Sequence, residues 1–204
     1  RWIYSASKQL MDRVVYAYGQ HHGLKFTLFR PFNWFGPGLD NVWESKDGTS
    51  RVITQFLSDI FHGRDITLVD GGAQKRCFLY IDDAIDALAR IVENKNGVAD
   101  GKIINIGHPE NEASIAEIAE LILDEASKIP DYTNVRARSK IIIASGEQHY
   151  GRGYQDMASR VPSIERARNL LDWQPVTTLR AGIAKTIAYY HAHKPEPLEK
   201  VSQG

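Results

Sequence analysis

Apolar residues recur at helical spacing near both ends of the chain, and short β-rich runs lie between them. Leu10, Val14, Val15 and Tyr18 form a stripe with the three-to-four-residue period of a helix. The pattern predicts a helix over about 5–22, stopped by Gly23. The run 25–30 (KFTLFR) reads as a buried strand, and 31–38 (PFNWFGPG), with two prolines and two glycines, as a turn-forming loop. Residues 40–50 are polar and read as a loop and candidate lid. Further helices are predicted over 51–62, 82–94, 114–127, 163–171 and 179–193. Strands are predicted over 65–69, 76–81, 102–106 and 141–144, with a turn at Asp70-Gly71-Gly72. Ser114 with Glu117 three residues later is a capping-box signature, and Asp82 or Asp83 is the expected cap of the third helix. The polar tail from Pro195 is expected to be disordered.

The first part alternates helix and strand as the end of a doubly wound parallel sheet does. The later part mixes short strands and helices, as a smaller lobe would. A strand followed by a turn-rich loop, as at 25–38, is where open α/β sheets place ligands.

At 204 residues the chain suits one domain or the larger part of one. Its 25 Lys and Arg balance 25 Asp and Glu, so no global field favours nucleic acid or an anionic membrane. Any anionic ligand must therefore be met by local Arg and Lys. No apolar run approaches the roughly 18 residues of a membrane span. Cys77 is the only cysteine, which excludes an internal disulfide and makes a reducing, cytoplasmic compartment the simplest reading. No glycine-rich dinucleotide cradle occurs, and the sequence opens on Arg inside what reads as a working motif. It is therefore read as a piece of a longer protein without its N-terminal Gly-rich half. An incomplete parallel sheet would expose an unpaired edge, so the isolated chain is expected to be poorly stable.

Tyr4 and Lys8 carry the most specific chemistry. Four residues apart on a helix, they lie on one face, with an ammonium beside a phenol. A nearby positive charge favours the phenolate of a group that otherwise ionises near pH 10. Such a phenol can take a proton from a substrate hydroxyl while a hydride leaves for a nicotinamide ring. The seven histidines form no metal constellation: His21-His22 and His191-x-His193 lack Cys or carboxylate partners at ligand spacing, and a satisfied surface histidine is the default. Trp34, Trp43 and Trp173 read as packing residues.

Five spans together resemble the extended short-chain dehydrogenase/reductase family acting on nucleotide sugars. They are Tyr4-x-x-x-Lys8; Arg30-Pro31-Phe32-Asn33 with Gly36-Pro37; Arg76-Cys77-Phe78-x-Tyr80-Ile81-Asp82-Asp83; Asn105-Ile106-Gly107; and Arg160-x-Pro162-Ser163-Ile164 with Leu171-x-Trp173-x-Pro175. The runs 105–114 (NIGHPENEAS) and 150–160 (YGRGYQDMASR) resemble more closely its UDP-glucuronic acid decarboxylase branch, which occurs fused to a formyltransferase domain in lipid A modification and polymyxin resistance.

The resemblance implies an α/β fold: the C-terminal part of an NAD(P)-binding Rossmann-like doubly wound sheet plus a smaller α/β substrate-binding lobe. Residues 1–35 and parts of 80–110 fall on the Rossmann side, and the lobe takes the remainder up to 194. It also implies NAD as cofactor, a UDP-sugar substrate and a homo-oligomer. Carried over residue by residue, Tyr4 deprotonates the C4 hydroxyl, and Lys8 assists it and holds the nicotinamide ribose. Pro31 and Phe32 lie against the nicotinamide. Arg160 matches the residue that assists decarboxylation and protonation. An arginine is a poor general acid, so electrostatic stabilisation is the easier role, and a structural or diphosphate-binding arginine is the alternative. Arg1, Asn33, Thr67, Lys75, Arg76 and Tyr154 match substrate contacts. Asn33 could equally be a turn residue, Arg76 a solvated charge and Tyr154 a packing residue. Thr67 stands where the resemblance leads one to expect lysine.

Overall fold

The computed structural model describes residues 2–43, 51–146 and 157–195. In chain order the elements begin with helix α1 (Trp2–His22), strands β1 (Thr27–Pro31) and β2 (Trp34–Phe35), and helix α2 (Val52–Phe61). Strands β3 (Ile66–Val69), β4 (Lys75–Cys77) and β5 (Leu79–Tyr80) follow, then helix α3 (Ile81–Glu93). Next come β6 (Lys102–Ile106), β7 (Glu112–Ser114), α4 (Ile115–Ala126), α5 (Val135–Arg138) and β8 (Ile141–Ala144). The last helices are α6 (Glu165–Leu171) and α7 (Leu179–Ala192). Two differences from the sequence pattern have local causes. The run predicted as one strand over 76–81 is interrupted at Phe78, whose N–H turns to the carbonyl of Asn111 at 3.1 Å. The two-residue β2 and three-residue β7 are too short to leave a period.

The chain forms two compact units. The first comprises Arg1–Trp34, Cys77–Glu112 and Arg160–Thr177. Its spine is the parallel pairing of β1 with β6, in register from Thr27 opposite Lys102 to Pro31 opposite Ile106. One face of β6 sends Ile104 and Ile106 into a core with Leu79, Ala84 and Ala87 of α3, Ile164, Ala167, Leu171 and Trp173. The small Ala84 and Ala87 let α3 lie close to the sheet, and Trp173 fills the gap at 1% exposure.

The expected aspartate cap of α3 is not formed. Tyr80 holds the cap position, with no side-chain cap hydrogen bond, and Asp82 and Asp83 fall in the first turn. Asp83 is buried and bonds across the unit instead. Its carboxylate accepts from Val176 N at 3.2 Å, Thr177 N at 2.9 Å and Thr177 Oγ1 at 3.2 Å. Trp173 Nε1 donates to its backbone carbonyl at 3.0 Å. Tertiary partners thus outbid the local cap. In the α1 stripe Leu10, Val14 and Tyr18 are exposed and Val15 is half-buried.

The second unit comprises Phe35–Arg76, Ala113–Ser159 and Thr178–Gly204. Strands β3 and β8 pair in parallel, from Ile66 opposite Ile141 to Val69 opposite Ala144. Ile53, Phe56, Leu57 and Ile60 of α2, Ile118, Ile122 and Leu123 of α4, and Ile183 and Ile187 of α7 are buried. The capping box at the start of α4 is complete: Ser114 Oγ accepts from Glu117 N at 3.1 Å, and Glu117 Oε2 accepts from Ser114 N at 2.7 Å. Buried Glu125 is gripped by Lys128 Nζ at 2.7 Å and by the Arg180 guanidinium, tying α4 to α7. Burial alone would raise the Glu125 pKa, but these two donors outweigh it and hold it below the usual carboxylate value. Among the described residues no helix is long and apolar enough to cross a membrane.

Replacing Asp83 with Ala strands two part-buried backbone N–H groups and a hydroxyl. Denaturant unfolding of the parent protein should show a loss of about 2–4 kcal/mol, against less than about 1 kcal/mol for Asp86→Ala on the exposed side of the same helix.

Candidate functional site

The candidate site in the first unit is built at the carboxyl ends of β1 and β6. The chain reverses between α1 and β1, with Gly23 in the left-handed region at φ 67°. Strand β1 therefore runs back along α1, and its carboxyl end points toward the first turns of the helix. Phe26 closes the far end, edge-on to Tyr16 at 6.2 Å between ring centres. Nearer the carboxyl end, Arg30 of β1 pairs with Asp12 of α1, Nη1 donating to Oδ1 at 3.3 Å and Nη2 contacting Oδ2. Tyr4 lies two helical turns before Asp12 and is 69% exposed. The Lys8 ammonium stands 5.5 Å from the centre of the Tyr4 ring.

Three sequence-distant segments meet where the β1–β6 ladder ends. Phe32 N donates to Ile106 O at 3.0 Å, carrying the ladder one residue past β1, and Trp34 Nε1 donates to the same carbonyl at 3.0 Å. A Cβ on Gly107 would stand 2.8 Å from Phe32 Cβ and 2.8 Å from Pro162 Cγ, so only glycine allows this approach. Asn105 Nδ2 donates to Ser163 O at 3.0 Å, and Arg166 Nη1 to Ile103 O at 3.0 Å, strapping 163–166 along β6. Arg160, exposed, therefore enters the unit two residues before the buried Pro162 at this strand end. Asn33 takes up its turn role: its φ is 41°, Nδ2 donates to Cys77 O at 2.8 Å, and its carbonyl accepts from Leu79 N at 3.3 Å.

Other candidates fall in the second unit. Thr67 is half-buried in β3, opposite Ile142. Lys75 is exposed, and its N–H donates to Ala158 O at 2.8 Å. Arg76 is not a freely solvated charge: Nη1 donates to Lys75 O at 2.6 Å and Met157 O at 2.8 Å. Arg1 and Tyr154 lie outside the described residues, as do positions 44–50 of the candidate lid.

The residues following β6 carry electrostatics that the sequence pattern did not reveal. His108 is a buried histidine, 6% exposed, not the expected surface one. Its Nδ1 is enclosed without a hydrogen-bond partner. Burial pushes its pKa down, while Glu110 and Asp83 pull it back up less strongly. Cys77 is buried, its thiol donating to Pro109 O at 3.7 Å; burial, with Glu112 adding, pushes it up to about 11, so it stays a thiol. Burial, with Asp82 and Asp83 adding, raises the Tyr80 phenol as well. Among the described residues no group of three or more His, Cys, Asp or Glu could hold a metal ion. The Asp12–Arg30 pair was also missed, because nothing in the sequence signals which carboxylate a strand arginine will meet.

An α/β Rossmann-like architecture with its strand-end crossing at Gly107 defines the class. Residues 1–107, just over half of the chain, match the NAD dependent epimerase/dehydratase family, and the chain belongs to it. Among solved structures it is similar to the PbgP3 protein from Burkholderia pseudomallei, with 48% identity and a TM-score of 0.80, over 95% of this chain and 54% of that one. It also shares the fold of UDP-glucuronic acid 4-epimerase from Bacillus cereus, solved with UDP-glucuronic acid and NAD (20% identity, TM-score 0.67, 89% and 50% covered). The dTDP-glucose 4,6-dehydratase from Bacillus anthracis, solved with NAD, is a further structure of this fold (21% identity, TM-score 0.72, 94% and 52% covered). The chain spans about half the length of each.

Gly107→Ala should lower the parent protein's stability by about 1–3 kcal/mol, because the Phe32 and Pro162 atoms it would strike are held by the ladder and by core packing. His108 gives a pH signature. The unfolded chain takes up the histidine proton near pH 6.5, above the folded-state value, so stability should fall as pH drops below about 6.5. His108→Asn should flatten that part of the stability–pH curve, read by thermal unfolding between pH 5 and 8.

Proposed function

We propose that this chain is the catalytic and substrate-binding part of an NAD-dependent enzyme that oxidises and decarboxylates UDP-glucuronic acid to a UDP-4-keto-pentose. The observation that carries the reading is Lys8 standing 5.5 Å from the Tyr4 ring centre on the accessible face of α1. The resemblance in 105–114 and 150–160 to the decarboxylase branch supports the substrate. The Bacillus cereus neighbour, solved with UDP-glucuronic acid and NAD, supports a UDP-sugar and NAD on this fold.

The residues present suit a nicotinamide nucleotide. Lys8 and Tyr4 offer donors to the nicotinamide ribose, and Pro31 and Phe32 offer an apolar surface where the ladder ends at Gly107. When bound, NAD supplies the hydride acceptor for the C4 carbon. Tyr4 takes the C4 hydroxyl proton, and the Lys8 charge stabilises the phenolate. A C4 ketone makes the C5 carboxylate a β-keto acid. Its C–C bond breaks with release of carbon dioxide, leaving an enolate that a proton then quenches. Arg160 supplies a fixed cation for the carboxylate and the enolate oxygen, with the proton delivered through water. Arg1, Asn33, Thr67, Lys75, Arg76 and Tyr154 are each proposed as UDP-sugar contacts from the resemblance. Homo-oligomerisation and fusion to a formyltransferase domain belong to the same reading.

The test uses the parent protein with UDP-glucuronate and NAD, following NADH absorbance and the mass of the sugar nucleotide. Accumulating NADH with loss of one carbon dioxide is the expected result. Carbon dioxide loss without net NADH would move the assignment to a UDP-xylose synthase, loss of water to a dehydratase, and an unchanged mass to a 4-epimerase. No turnover with any nucleotide sugar would leave a non-catalytic binding module. Tyr4→Phe should cost at least about 100-fold in kcat with little change in KM.

A further inference from the structure

Tyr4, Lys8 and Asp12 occupy positions i, i+4 and i+8 of α1, one above another on a single face. Lys8 thus has two suitors. One turn toward the N-terminus is a phenol, and one turn toward the C-terminus is a carboxylate. A bare carboxylate four residues from a lysine attracts it more strongly than a neutral phenol does. Yet Lys8 lies over the Tyr4 ring, and no Lys8–Asp12 ion pair forms. Asp12 is already taken: the Arg30 guanidinium reaches both of its oxygens from β1. The two side chains are 39% and 29% exposed, so the pair is half-buried, shielded more than an ordinary surface contact.

We infer that Arg30 is a positioning residue that occupies Asp12 and so leaves Lys8 to serve Tyr4. The inference rests on the proposed role of Tyr4 and Lys8. Arginine suits the task because its planar fork meets both carboxylate oxygens, whereas a lysine there would satisfy them less fully. Lys8 and Asp12 are the charged groups of this i, i+4, i+8 row of α1, and Arg30 reaches Asp12 from β1.

The experiment compares pH profiles of kcat/KM for variants of the parent protein. In Arg30→Ala, Asp12 is released to draw Lys8 away. The acid limb should move about one unit toward alkaline pH, with about tenfold lower activity below it. Arg30→Lys, which keeps a cation against Asp12, should give a smaller shift. The decisive variant is the double Asp12→Asn/Arg30→Ala. It lacks the α1–β1 ion pair just as Arg30→Ala does, but it also lacks the competing charge, so its acid limb should return toward the native position. A double variant as impaired as Arg30→Ala, or an unmoved limb in Arg30→Ala, would overturn the inference and reduce the pair to a structural tie. Tyr4→Phe separates the two levels. If it is inactive while Arg30→Ala leaves the limb in place, this inference alone fails; if it stays fully active, the assignment of Tyr4 fails and takes the inference with it.

Discussion

The parallel pairing of β1 with β6 is the constraint on which the first unit depends. These strands lie more than 70 residues apart in sequence, in register from Thr27–Lys102 to Pro31–Ile106. The pairing brings Pro31 and Phe32 beside Ile106 and Gly107. One missing side chain, at Gly107, then lets Phe32 and Pro162 close over the strand end. That approach sets the segment entering at Arg160 close to the end of β1. The strap of Asn105 and Arg166 onto 163–166 holds the same geometry from the other side. Hydrogen bonds along a ladder are individually modest, but here they decide which residues become neighbours.

A second organising device is the use of buried carboxylates as brackets. Asp83 collects three donors from Val176 and Thr177, and Glu125 collects Lys128 and Arg180. Each ties a helix to a distant segment of its own unit. Such groups are costly to bury alone, and removing their donors leaves that cost exposed. Asp12 and Arg30 follow the same scheme at a half-buried site, one helical turn from Lys8 and its contact with the Tyr4 ring.

Family membership and the candidate chemistry stand on different footings. Residues 1–107 place the chain in the NAD dependent epimerase/dehydratase family, and the β1–β6 architecture agrees with that placement. The proposed decarboxylation rests on the resemblance of 105–114 and 150–160 to the decarboxylase branch. The first unit sets a cation beside a phenol on α1, an apolar strand end at Pro31 and Phe32, and an arginine entering two residues before the buried Pro162.

Much of the local structure was legible in the sequence, because period, capping and turn chemistry act over a few residues. The helical periods of α2, α4 and α7, the strand at 102–106 and the Ser114–Glu117 capping box all appear in the fold. The face shared by Tyr4 and Lys8 follows from helix geometry alone. Properties set by partners far along the chain were not legible. Asp82 or Asp83 reads as a cap, but Val176 and Thr177 claim Asp83; the Leu10–Tyr18 stripe reads as one apolar helix face, but its Leu10, Val14 and Tyr18 lie exposed. His108 reads as a surface residue, yet the turn after β6 encloses it. Which carboxylate Arg30 would meet, and why residue 107 must be glycine, depended on the strand register. Short-range hydrogen bonding and hydrophobic period are written into neighbouring residues, whereas burial and ion pairing are decided only when the β1–β6 ladder and the cores close.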